Sequence, residues 1–370
     1  MGTQFLRTGL ISGALPALKC RSGDERGTRP QRDRATTRRG CDNCRNMMQK
    51  PEQVNSAREG ERAPRGALHG AFSALLELGI EWLVRATGRR IPRSDAPWLK
   101  CFLGKPGLIG TGIYQRIADQ EQLKLRMPPT AGLIPDFETL RGSTFDPGAV
   151  DSRVRHFYEH TAEYHLEVWS EVYFVGRFFL WLLVEFLSRQ MDQLNFPISS
   201  LELAKGMTSE VVQLYEPATE RVVSTGWLRR MKSTGRVIYA GIYSTIRIPR
   251  EENPCVKVTF PCRGSANVYL RPVSHADGSF GLHSSGSRFG KSGFYRLVES
   301  GPEHWRVRNF TTLHELFRVY VDPEGVLRTD HKISFVGLTI LRLHYKMTPQ
   351  GERSRMSSQA AEHFPAGQVV

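Results

Sequence analysis

VLRTDHKISFVGLTILRLHYKM, residues 326–347, is the stretch on which the fold turns. In its second half Leu341, Leu343, Tyr345 and Met347 alternate with Arg342, His344 and Lys346, so one face is dry and the other wet. A period of two is the signature of a pleated strand with one buried side. Gly337 separates this run from a similar one over 326–336, and Asp322-Pro-Glu-Gly325 precedes that one as a turn. The pattern therefore predicts consecutive antiparallel strands.

Working outward, the same alternation extends back to Leu203. Strands are expected near 208–215, 221–229, 235–248, 255–261, 265–271, 279–284, 293–298, 304–310 and 313–321. About ten short strands with frequent turns predict a strongly bent or closed, barrel-like antiparallel sheet over 204–347. The residues after Met347 lose the pattern and read as a disordered tail to residue 370.

Upstream the pattern is helical. Leu68, Phe72, Leu75, Leu76, Trp82 and Leu83 recur at three- and four-residue steps, and Gly88 and Pro92 end the run. A shorter helix is expected over Ile109–Leu123. Asp151 or Ser152 can cap another that carries Val154, Phe157, Tyr158, Tyr164, Leu166, Val168 and Trp169. A further apolar helix is expected from Val172 to about Leu194. That run is interrupted by Arg177 and Glu185, so it reads as a buried helix or a membrane-surface contact rather than a span. The expected class is thus α+β, with a helical region over 67–203 packed on the sheet.

The chain of 370 residues carries a net charge of +14. Residues 1–70 hold 14 Lys and Arg against 7 Asp and Glu, so half of the excess lies in less than a fifth of the chain. No basic stripe remains in the rest, which argues against a nucleic-acid surface. Residues 1–66 lack any hydrophobic period and read as a disordered tail, or as an extension ahead of a start at Met47 or Met48. The six cysteines form no disulfide framework, and the lone Cys41–Cys44 pair lacks the second pair a zinc site requires. With no signal peptide evident, the expected location is the cytoplasm, with peripheral membrane contact through 172–194 as the variant.

The strings FYEHTAEYHLEVW (157–169), GMTSEVVQLYEP (206–217), GSRFGKSGFY (286–295) and LRLHYKM (341–347) resemble those of a group of uncharacterised bacterial proteins. The resemblance covers roughly 130–347 and implies no activity and no site residue.

Four constellations bear on chemistry. His156, His160 and Glu163, spaced i, i+4 and i+7, offer two imidazoles and a carboxylate on one helix face, a pattern a solvated or ring-stacked face also produces. His275, Asp277 and His283 stand in a Gly/Ser-rich hairpin region and could serve as acid and base, although turn chemistry alone accounts for them. Gly286-Ser-Arg-Phe-Gly290-Lys-Ser-Gly293 departs from phosphate-loop spacing and precedes a strand rather than a helix. Dense aromatic residues on the sheet either fill it or border a cavity. Arg271, Tyr239, Tyr243, Arg288 and Tyr295 are the candidates for holding a ligand there. The reading is a module that binds a hydrophobic or amphipathic small molecule or lipid, without cofactor. An enzyme in the same pocket and a membrane-surface or structural protein are the alternatives.

Overall fold

The computed structural model describes residues 78–102, 112–172, 206–235, 237–262 and 264–351. All of them belong to one compact unit, Pro64–Val370. The expected tails at 1–66 and beyond 351, and the apolar helix at 172–194 from residue 173 on, lie outside the described residues.

The second half follows its alternation closely. Strands β4 (Met207–Tyr215), β5 (Val222–Met231), β6 (Val237–Ile246), β7 (Cys255–Cys262), β8 (Gly264–Ser274), β9 (Phe280–His283), β10 (Gly293–Glu299), β11 (His304–Phe310), β12 (Leu313–Val321), β13 (Leu327–Phe335) and β14 (Leu338–Pro349) run antiparallel to their neighbours. Gly278, Gly325 and Gly337 take positive φ in the tight turns, where a side chain would be strained.

The first half corrects the expectation. Among the described residues before Met207 there are only three short helices: α1 over residues 78–87, α2 (Ile113–Glu121) and α3 (Ser152–Glu159). Three strands accompany them, β1 (Arg89–Pro92), β2 (Lys124–Arg126) and β3 (Tyr164–Val172). The α+β class with a helical N-terminal half is therefore wrong for the described residues, and all fourteen strands join one sheet. The helix expected to run on from Asp151 stops at His160, which leaves helical geometry at φ −135°. Tyr164, Leu166 and Val168 then alternate with His165, Glu167 and Trp169, and the segment pairs with β14 from Val172↔Leu341 to Tyr164↔Pro349. Spacing of two, not four, governs those residues.

Nor is the sheet closed among the described residues. Its hydrogen-bonded path runs β2-β4-β5-β6-β7-β8-β9-β12-β13-β14-β3, with β2 and β3 at its ends. β2 covers only Gln213–Tyr215 of β4. At the other end Val168 of β3 packs on Met207, Met231 and Ile238. Apolar contact brings the two ends together there, and no backbone ladder joins β3 to β4 among the described residues.

Both faces of the curled sheet are covered in part. On the convex face Ile113, Tyr114 and Ile117 of α2 bury against Val212, Leu214, Leu228, Ala240 and Ile242. Gly226 makes this approach possible, since a Cβ there would overlap the Tyr114 ring. A second convex cluster gathers Trp98, Tyr269, Tyr295 and Trp305. The concave face carries the largest cluster. One end of it is plugged by Phe137, Phe145 and Tyr158 around Phe280, with ring centroids 5.0–5.6 Å from the Phe280 ring. Such aromatic pairs contribute about 0.5–1.5 kcal/mol each beyond area burial.

Candidate ligand cavity

Strand alternation puts every second side chain of the sheet on the concave face, and these residues leave a cavity of about 120 Å³. Trp227 and Arg229 come from β5, Tyr239 and Tyr243 from β6, Val258 and Phe260 from β7, Val268 and Leu270 from β8. Glu315 and Phe317 of β12, Thr329 and His331 of β13 and Tyr345 of β14 complete the facing wall, and Phe157, Tyr158 and Leu166 close one end. The lining is overwhelmingly apolar. Its few polar groups are therefore informative.

Arg229 is the most telling of them. Only 5% of it is exposed. Its Nε has no hydrogen-bond partner, and Nη2 reaches only the Met207 Sδ, at 3.7 Å. Its guanidinium lies over the rings of Trp227 and Tyr345, 5.1 Å from each centroid. No carboxylate among the described residues pairs with it. Two cation–π contacts moderate but do not replace the lost hydration of a buried cation.

Opposite chemistry lies nearby. Glu315 retains 22% side-chain exposure, and its Oε2 is 3.7 Å from Nε2 of buried His331, a nitrogen left without a hydrogen bond. The His331 ring stacks on Phe317 at 3.7 Å. The Tyr239 and Tyr243 hydroxyls share a hydrogen bond of 2.6 Å. Burial pushes both phenols well above their ordinary range, so they stay neutral donors. The Arg229 and Glu315 charges both act on Tyr243, which places the polar groups within electrostatic reach of one another.

Of the residues expected to hold a ligand, Tyr239 and Tyr243 line the cavity. Arg271 lies on the other face of β8, paired in register with His283, and Arg288 is exposed in a loop. Tyr295 sits in the convex cluster, where its hydroxyl accepts from Gly290 N and donates to Lys291 O, pinning the glycine-rich loop ahead of β10. No helix follows that loop; β10 begins at Gly293.

His275, Asp277 and His283 occupy the β8–β9 hairpin, away from the cavity lining. Asp277 accepts from the Ser279 hydroxyl and backbone and pairs with Arg318, which lowers its carboxyl to about 2. His283 is lowered to about 4, first by burial and then by the Arg271 and His275 charges. The two imidazoles lie 6.4 Å apart. His156, His160 and Glu163, by contrast, are brought together: one ligating atom from each lies within 4.8 Å of the others.

Arg229, Glu315 and His331 escaped the sequence reading. The available signal for Arg229 is its neighbour Arg230: in a strand apolar on both sides, adjacent arginines force one inward.

No family model and no solved structure matches the chain. It is similar to the uncharacterized membrane protein YndJ of Bacillus subtilis (strain 168), 24% identical over 223 residues. The match takes in 59% of this chain and 38% of that protein. No helix among the described residues is long and apolar enough to cross a membrane.

Proposed function

We propose that this protein binds a small amphipathic acid in the concave cavity, with its apolar body among the aromatic rings and its anionic group on Arg229. The observation that carries the reading is a nine-tenths buried guanidinium, without a carboxylate partner among the described residues, on the wall of an apolar hollow. An uncompensated buried cation weakens the fold by several kcal/mol, and an incoming anion would remove that penalty. Since one hydroxyl of the Tyr239–Tyr243 pair donates to the other, the pair supplies one further donor. A cavity of about 120 Å³ is close to the 150 Å³ hollow known to take benzene, so the ligand body is on the order of one ring or a short acyl chain. The similarity to a protein described as a membrane protein supports a lipid-derived acid.

Calorimetric titration with benzoate and hexanoate, against benzyl alcohol and hexanol as neutral counterparts, tests this. The acids are expected to bind at least tenfold tighter than the alcohols, and Arg229→Met to abolish that preference. Equal affinity for acid and alcohol would refute the anion site. Absence of any binding would refute the cavity's role.

A further inference from the structure

We infer that His156, His160 and Glu163 form a binding site for a divalent late first-row metal ion of the zinc, cobalt or nickel type, separate from the cavity. On one uninterrupted helix three such residues seldom reach a single point. The structure removes that objection. α3 ends at Glu159, His160 is its last cap, and a 3-10 turn over Thr161–Glu163 carries the carboxylate back towards the two rings.

The geometry fits a metal's needs. His156 Nε2 lies 3.8 Å from a Glu163 carboxylate oxygen and His160 Nδ1 lies 3.9 Å from the other. Ligand atoms about 2.1 Å from a shared zinc ion lie roughly 3.4 Å apart at tetrahedral angles, so a small closure suffices. The imidazoles stack at 4.4 Å and 30°, which keeps both at one spot. All three side chains are between one third and one half exposed, leaving an entry path and room for bound water.

A second, independent feature is the support behind the His156 ring, whose Nδ1 meets the Tyr164 hydroxyl at 2.9 Å. Metal-bound histidines are held in this way by an oxygen on the ring nitrogen that faces away from the ion. His160 Nδ1, the atom nearest Glu163, meets the Thr130 carbonyl at 3.2 Å, a contact that a metal ion would displace. With Nδ1 of His156 so engaged, Nε2 is the nitrogen free to ligate. Two imidazoles with one carboxylate suit zinc, nickel or cobalt better than calcium or magnesium, which prefer oxygen. Phe157 and Tyr158, between the two histidines, line the cavity, so an ion here would brace the cavity's end wall.

The test is calorimetric titration of the whole chain with nickel chloride, and separately with calcium chloride as the oxygen-preferring control. One nickel ion per chain is expected, with no calcium binding at this site. His156→Ala, His160→Ala and Glu163→Gln should each weaken nickel binding at least tenfold, and Tyr164→Phe by about tenfold through the loss of ring support. Cys41→Ser/Cys44→Ser serves to separate any thiol site and should leave the one-to-one event unchanged. Unchanged melting in EDTA verifies that the variants fold. The site is refuted if nickel fails to bind one-to-one, if the histidine variants bind as tightly as the parent, or if only the cysteine variant loses binding.

Discussion

Arg229 sets a contest between fold and ligand at a single side chain. Met fills a similar volume without a charge, and replacing buried ionic groups by apolar residues is frequently stabilising. Arg229→Met is therefore expected to raise the unligated protein's stability by about 1–3 kcal/mol while removing acid binding, readable as a higher urea midpoint. A lower midpoint would show that its contacts with Trp227 and Tyr345 outweigh its desolvation. His283 makes a different demand. Its folded-state value, about 4, lies below the unfolded 6.5, so the neutral ring is the one that fits the fold. That contribution is present above pH 6.5 and is lost as pH falls through 4. His283→Gln should accordingly flatten the decline of Tm between pH 6.5 and 4 relative to the parent; an identical decline would remove the assignment.

Among elements, α3 and the loop before it illustrate what close approach requires. Ile134 N donates to Tyr158 O at 3.0 Å and Ala162 N to Ala131 O at 2.8 Å, drawing the loop onto the helix end. Gly132 stands between them, where a Cβ would overlap the Glu159 carbonyl. Gly132→Ala is expected to destabilise the fold by about 1–3 kcal/mol in urea unfolding, as overpacked sites do, and to weaken ligand binding because Phe157 and Tyr158 shift with α3.

The same region marks the limit of legibility. β4 to β14 could be read from alternation to within a few residues, since one dry face leaves a period of two in the text. In β3 the period was equally present in Tyr164, Leu166 and Val168, but it followed a genuine helix so closely that a three-to-four spacing could be drawn through both. β1 and β2 are four and three residues long, too short for any period. The cavity's aromatic wall was visible as composition. Its arginine was not, because which of two adjacent residues points inward depends on register, and register is fixed by partners elsewhere in the chain.

For the molecule as a whole, burial is deepest at β7 and β8, which carry the concave cluster on one face and the Trp98–Tyr269 cluster on the other. Hydrogen exchange should be slowest at Val256–Phe260 and Ala266–Leu270 and fastest in β2 and β3 at the ends of the path. Uniform exchange along the sheet would contradict this gradient.

β8 also holds a position that no other strand among the described residues shares. Along one edge β7 accompanies it; along the other, Ser265–Tyr269 pair with β10 and Arg271–Ser274 with β9. Leu270 thus stands at a fork, and among the described residues the backbone ladder ties β9, β12, β13, β14 and β3 to the other strands at Arg271–Ser274. At the far end the same lobe is held by Val168 against Met207, Met231 and Ile238. With both its margins fastened to the one partner, the protein should come apart all at once.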